Sequence, residues 1–482
     1  MSAQTLYPVR QGHNERVMRM PSKSRRRVGL ALLDLSAWIR RQPWLRAVYR
    51  HFPQPIRSRL SERLASRAGQ RVGFQRFSSR PHVSSLSTPA TAGVLQTRTR
   101  VAGGVNVFAY ARGQFGLGES ARLYTSAMLA EGYPVAVHDI ALDIPHSMGD
   151  TSLERHFDTD MPYDVNLIFV NPDCLDDAIA SIGSERLRDR YTIACWFWEL
   201  EKFPKKWLPS LSAVDEILVS SSFVGDVIRS VTDKPILHVP LPVSQAPDSG
   251  LGRADFGLSD DAFVLLCSFD FNSFLARKNP FAVIEAFRRA FADGRAGVNL
   301  LIKSSNGHRH PEKLREVLNA AAGDRRILVH DEVIDRSHVQ ALQRCTDAYV
   351  SLHRAEGFGL GLAECMRLGK PVIATAWSGN MEFMTPDNSC LIGYRLVPVG
   401  DGEYPHHDGQ RWAEPDVGQA AACMRRLADD PEFAARIGAR AAQDVREKLS
   451  PHVVAGQIIH RLEALSAVTR VTAAPALATD AR

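Results

Sequence analysis

Long apolar runs are missing from this chain of 482 residues. A helix that crosses a bilayer needs about 20 consecutive, mostly apolar residues. The best stretch, Val28 to Trp38, is shorter and carries Asp34. Ser24-Arg25-Arg26-Arg27 precedes it, as a twin-arginine export signal would require. Asp34, Arg40 and Arg41 break that pattern, and no small-residue cleavage site follows, so export is disfavoured. Cysteines are few. There are seven, an odd number, and no two lie close in sequence, which argues against a disulfide framework or a thiolate zinc site and fits a reducing compartment. Acids are scarce at the start. Residues 1–100 hold 20 Lys/Arg against Glu15, Asp34 and Glu62, about +17, although the whole chain is only +6. A basic arm therefore precedes an acidic body of net charge −11. Such an arm seeks anions. No strong acidic metal motif is present.

The arm and its linker span residues 1–100. Residues 28–70 read as one or two cationic amphipathic helices. Trp38, Trp44, Leu45, Val48, Tyr49 and Phe52 form the apolar side, with arginines between them and Pro43, Pro53 and Pro55 as breaks. A helix lying in a membrane interface and an arm packed on its own protein fit this pattern equally well. Residues 77–99 are rich in Ser, Thr, Pro and Ala, as linkers are.

From Val101 short apolar runs alternate with helical patterns, which predicts parallel sheets covered by helices. A first α/β unit is expected over 101–243, a linker at 244–257 and a second α/β unit over 258–450. A C-terminal helix at 451–466 and a loose tail at 467–482 complete the chain. Ligands of such sheets sit at the carboxyl ends of the strands, and with two facing units the cleft between them is the expected site.

The sharpest stretch is Glu356-Gly-Phe-Gly-Leu-Gly-Leu-Ala-Glu364. Gly357, Gly359 and Gly361, interleaved with Phe358 and Leu360, let a backbone approach a ligand closely. A helix predicted from Leu360 turns its unpaired N–H groups toward a phosphate. Carboxylates would repel that phosphate, so Glu356 and Glu364 are better explained as acceptors from sugar hydroxyls. A flexible strand-to-helix turn with solvated acids would also carry these residues. Arg277 and Lys278, after the first strand of the second unit, are adjacent cations suited to a diphosphate. Lys303, ending the strand Leu300-Leu-Ile-Lys303, is a further candidate. In the first unit Gly113-Gln-Phe-Gly116-Leu-Gly118 follows a strand, and its backbone can close over phosphates, though its spacing is not that of a dinucleotide-binding loop. Asn171, Trp198 and Glu199 end other strands of that unit and are candidate acceptor contacts. Trp196 reads as core. His353 and Arg354 either touch a sugar or finish their strand.

The stretch EGFGLGLAE followed by MRLGKPVIAT resembles the donor site of family 4 retaining glycosyltransferases, of the type acting on bacterial surface polysaccharides. The resemblance runs from about Val101 to Leu465. It implies a GT-B fold, two facing Rossmann-like domains with parallel sheets, to which this chain would add its basic helical arm. It implies that Glu356 contacts the transferred sugar and Glu364 the ribose hydroxyls. It makes Lys278 the counterpart of the family lysine. The family arginine close after the strand is not matched, and Arg277 stands beside the lysine instead. Ser378-Gly379-Asn380 resembles the loop that borders the donor sugar, although ordinary turn chemistry would choose the same residues.

The activity so implied is transfer of a hexose, mannose being one candidate, from a nucleoside diphosphate sugar to a saccharide acceptor with retention. Neither cofactor nor metal is expected. The expected partners are the nucleotide sugar, a saccharide or lipid-linked saccharide, and an anionic membrane surface bound through residues 1–76, but no nucleic acid. The expected location is cytoplasmic, peripheral on the inner membrane face. A same-fold epimerase and a non-catalytic scaffold are the alternative readings.

Overall fold

The computed structural model describes residues 101–140, 146–245 and 248–473, together with Ala31, Asp34, Leu35, Trp38 and Gln42. The rest of the arm expected over 1–100, and the end of the tail, lie outside the described residues. Of the five isolated positions, Asp34 pairs with Arg315 of the second lobe, and Leu35 and Trp38 are exposed.

Two six-stranded parallel sheets carry the molecule. The first holds β1 (Val101–Ala109), β2 (Val135–Asp139), β3 (Tyr163–Phe169), β4 (Tyr191–Cys195), β5 (Glu216–Val219) and β6 (Ile236–His238), in the order β2-β1-β3-β4-β5-β6. The second holds β7 (Phe263–Asp270), β8 (Val298–Ser305), β9 (Ile327–Asp331), β10 (Ala348–Ser351), β11 (Val372–Thr375) and β12 (Cys390–Ile392), in the order β12-β11-β10-β7-β8-β9. The strands are Val-, Ile- and Leu-rich because helices cover both faces, so both faces must be apolar. Val105, Val107, Leu167, Leu266, Leu300 and Val350 are fully buried or nearly so. One apolar cluster runs from Val105 and Leu167 of the first sheet to Leu266 and Tyr349 of the second.

Strand order reverses at β1/β3 in the first sheet and at β7/β10 in the second. Loops leaving neighbouring strands diverge at such a point and open a crevice at the carboxyl ends. The loop carrying Gly113 and Gly116 leaves β1, and Asn171 follows β3. Arg277 and Lys278 follow β7, and Glu356 follows β10. The topology thus brings these residues to the two switch points.

Three features differ from the expected pattern. An antiparallel hairpin, β13 (Tyr394–Pro398) with β14 (Arg411–Pro415), follows β12. Its long connection, rich in Gly, His and Asp, reads as irregular loop and hides the pairing. A helix at Leu175–Ile182, with Leu175, Ala178 and Ile182 buried at helical spacing, was not anticipated. The last helix runs Pro451–Ala473, beyond the expected 451–466, so the first part of the expected tail is helical. Alanines favour that extension.

This last helix returns to the first lobe and packs on the helix Gly116–Ala130 and on β1, burying Val454, Ile458 and Leu462. Arg461 holds Glu216 of β5 at 2.8 Å. The two crossover segments meet where Val243 N–H donates to the Leu449 carbonyl at 2.7 Å. Among the described residues no helix is long and apolar enough to cross a membrane.

Candidate functional site

β10 ends at Ser351, and the chain then passes through His353 to Glu356 and a glycine turn. Gly359, with φ of +92°, occupies a left-handed position and leads into the helix Leu360–Arg367. Gly379, in the loop after β11, presses against this turn. Its N–H donates to the Glu356 carbonyl at 2.8 Å, and a Cβ there would lie 2.1 Å from the Gly357 oxygen. Ser378, at φ of +76°, accepts from the Glu356 N–H at 2.8 Å. Neighbouring strand-end loops therefore fix the Glu356 backbone.

The Glu356 carboxylate receives both expected cations. Lys278 Nζ lies 2.5 Å from Oε1, and Arg277 Nη1 lies 3.2 Å from Oε2. Burial alone would push this carboxyl up, but Lys278 and Arg277 outweigh it and hold it down at about 2. Burial likewise opposes the charge on Arg277, yet Glu356 and Glu199 raise its pKa. Arg277 also donates to the Ala355 carbonyl at 2.8 Å, and its Nη2 sits 3.8 Å from Glu199 of the first lobe. It lies behind Glu356 with 6% of its side chain exposed, against 19% for Lys278. Lys278 is therefore the more accessible cation.

Glu364 lies one turn into the helix. Arg336 Nη2 is 2.5 Å from its Oε1, and Gln343 Nε2 donates to its Oε2 at 3.0 Å. Lys303 is not brought to this group. Its ammonium donates to the Ser304 and Glu332 carbonyls at 2.8 and 2.6 Å and to Ser305 Oγ at 3.1 Å. Burial lowers its pKa to about 8. Asn380 also has structural bonds, with Oδ1 3.1 Å from His353 Nε2 and Nδ2 donating to the Thr375 carbonyl at 3.0 Å. His353 is fully buried, and burial lowers its pKa. Arg354 turns away to Glu414 of β14 at 2.7 Å.

In the first lobe Gly118 packs so tightly that a Cβ would lie 2.4 Å from the Gly113 oxygen, whereas Gly116 has open space. Asn171 Oδ1 accepts from Phe197 N–H at 2.9 Å and so ties two strand-end loops together. Trp198 is buried. It packs edge-on to Trp207 and donates its indole N–H to the Lys202 carbonyl at 2.9 Å. It is core rather than an open stacking surface, like Trp196. Glu199 does face the other lobe, next to Gly357 and Arg277.

Several cross-lobe contacts close this cleft. Ser221 Oγ donates to the Gly357 carbonyl at 2.7 Å, and Ser222 N–H to Glu382 at 2.8 Å. Gln410, beside β14, exchanges two hydrogen bonds with the Lys202 backbone, at 3.0 and 2.7 Å. Tyr404, in the hairpin loop, donates to Glu199 Oε2 at 2.6 Å. Tyr404, Arg336 and Gln343 were not read from the sequence. A tyrosine in a polar loop and an arginine opening a helix carry no local signal of what they touch.

Residues 264–406, just under a third of the chain, match the family of glycosyl transferases group 1. That stretch contains Arg277, Lys278, Glu356 and Glu364. The trehalose synthase of Rubrobacter xylanophilus is 27% identical over 183 residues, 37% of this chain and 38% of that protein. The D-inositol 3-phosphate glycosyltransferase of Kineococcus radiotolerans is 26% identical over 211 residues, 41% of this chain and 43% of that protein. Each alignment spans less than half of the relative's length. Sucrose-phosphate synthase from Thermosynechococcus elongatus superposes with a TM-score of 0.55 at 16% identity, covering 76% of this chain and all of that one. The expected fold is present: this is an α/β protein of GT-B architecture.

Proposed function

We propose that this chain is a glycosyltransferase that moves a hexosyl group from a nucleoside diphosphate sugar to a hydroxyl of a saccharide acceptor, with retention of configuration. The observation that carries this reading is the convergence of Lys278, Arg277 and Glu356 at the β7/β10 switch point, with Glu364 one turn into the helix that follows, all within the matched family stretch.

The bond from the anomeric carbon to the leaving phosphate oxygen breaks, and the diphosphate keeps the electron pair. The acceptor oxygen bonds to the same face of that carbon, and its proton passes to the departing phosphate. Negative charge grows on the diphosphate, where fixed donors stabilise it without reorganising. Lys278 supplies a cation, and the amides opening the helix at Leu360 supply donors. Glu356 stays ionised and accepts hydrogen bonds from sugar hydroxyls. Arg277, buried behind it, holds Glu356 and Glu199 in place. Glu364 accepts from the ribose. With cations taking this part, no metal is required.

The acceptor proposed is a lipid-linked saccharide, with residues 1–76 holding the protein on an anionic membrane. Support comes from the charge split of about +17 against −11 and from the aromatics between Trp38 and Phe52. Each basic residue near such a surface contributes about 1 kcal/mol, and salt weakens it.

The test is turnover of a panel of nucleotide sugars, with and without EDTA. One donor should release its nucleoside diphosphate slowly without acceptor and faster with it, unaffected by chelation, and NMR of the product should show retention. Complete turnover without any acceptor to an epimerised donor would replace this reading with an isomerase. For the arm, full-length protein should float with anionic liposomes and protein lacking residues 1–76 should not. Equal flotation would remove the membrane role.

A further inference from the structure

Arg336 opens the helix Arg336–Cys345 and reaches across the cleft. Its Nη2 lies 2.5 Å from Glu364 Oε1 in the second lobe, and its Nη1 lies 2.7 Å from Glu119 Oε1 in the first. One guanidinium thus joins carboxylates from opposite lobes with two nitrogens of its rigid fork, a geometry that a single ammonium reproduces poorly. Both carboxylates are braced from behind. Arg122 Nη2 holds the other oxygen of Glu119 at 2.6 Å, and Arg122 Nη1 donates to the Gly113 carbonyl at 2.7 Å. Gln343 holds the other oxygen of Glu364. An unbroken chain of charge-assisted contacts therefore runs from the glycine loop after β1, across the cleft, to Glu364.

We propose that Arg336 is a positioning residue that locks the two lobes together and couples Glu364 to the glycine loop of the first lobe. The coupling to ligand rests on the reading of Glu364 as a nucleotide contact. An ionised carboxylate has about four lone-pair sites. Arg336 and Gln343 occupy one on each oxygen, so Glu364 keeps capacity for two vicinal hydroxyls while its orientation is fixed. Without Arg336, Glu364 would lose the cation paired with it while Glu119 kept Arg122, and closing on an anionic nucleotide would bring further negative charge to Glu364. The Arg336 side chain is 31% exposed, so salt should loosen the lock.

The experiment uses the full-length chain as wild type, Arg336→Met, Arg336→Lys and Glu119→Gln, each first shown to be folded by circular dichroism. Small-angle scattering without ligand should give a larger radius of gyration for Arg336→Met and Glu119→Gln than for wild type. Wild-type protein in high salt should move the same way. Calorimetry with uridine, adenosine and guanosine diphosphates should show the preferred one bound about ten-fold more weakly by Arg336→Met, with partial rescue in Arg336→Lys. Donor KM should rise about as much while kcat changes far less. Unchanged scattering for Arg336→Met would overturn the lock, and a larger radius with unchanged affinity would overturn the coupling. If wild type binds none of the diphosphates, the reading of Glu364 fails, and the scattering comparison still decides the lock.

Discussion

Lys278 and Glu356, 78 positions apart in the chain, meet at 2.5 Å where β7 and β10 reverse the strand order. The contact explains how a buried carboxylate stays ionised: burial raises its pKa, and the two cations beside it bring it to about 2.

A pH dependence follows. Because the folded pKa is depressed, ionised Glu356 contributes stability that is fully present above about pH 4.5 and lost as pH falls toward about 2. Lys278→Met removes the largest opposing charge, so acid unfolding should begin at higher pH, as far-UV circular dichroism would show. Turnover should fall about 100-fold, as when a fixed charge donor is lost. The acid limb of kcat/KM should also move to higher pH. An unmoved acid limb and unfolding curve would mean that Lys278 does not hold Glu356 ionised.

Two glycine substitutions should behave oppositely. A Cβ at Gly379 would lie 2.1 Å from the Gly357 oxygen and 2.7 Å from Phe358 N, so Gly379→Ala must displace the Gly357–Phe358 peptide. At Gly116 no atom lies within 4 Å of an added Cβ. Gly379→Ala should lower the melting temperature and reduce kcat/KM by about ten-fold or more, overpacking costing about 1–3 kcal/mol. Gly116→Ala should melt as wild type does. Equal melting of the two variants would refute the close approach at Gly379.

Tyr404→Phe keeps the ring and removes the hydrogen bond to Glu199. A hydrogen bond to a charged group contributes about 1.5–3 kcal/mol. Glu199 faces the Glu356 turn from the first lobe, so acceptor KM should rise about ten-fold while donor affinity stays within about two-fold. Steady-state kinetics with each substrate varied separately would check this. An equal loss for both substrates would mean that Tyr404 supports the cleft as a whole.

The parallel strands were legible because burial on both faces forces continuous apolar runs such as Val298–Lys303. The turn after Glu356 and the helix that carries Glu364 were legible because both are local in sequence. Arg336 and Tyr404 were not, since each acts on a partner supplied by a distant segment. Trp198 looked like an exposed stacking residue because its run ends a strand, but the Trp207 ring and the Lys202 carbonyl cover it. Lys303 read as a phosphate ligand from its strand-end position, although its three bonds close the loop beside it. The β13–β14 hairpin was hidden by its polar loop, and that loop supplies Tyr404 to the cleft.

The central claim is that Glu364 and the turn from Glu356 bind a nucleoside diphosphate sugar. Its most direct test is calorimetric titration of wild type and Glu364→Ala with each member of a nucleotide-sugar panel. Saturable binding of one donor by wild type, weakened about ten-fold or more in a folded Glu364→Ala protein, is the result predicted from loss of a charge-assisted hydrogen bond. Binding of none of the donors, or equal affinity in the two proteins, would contradict it.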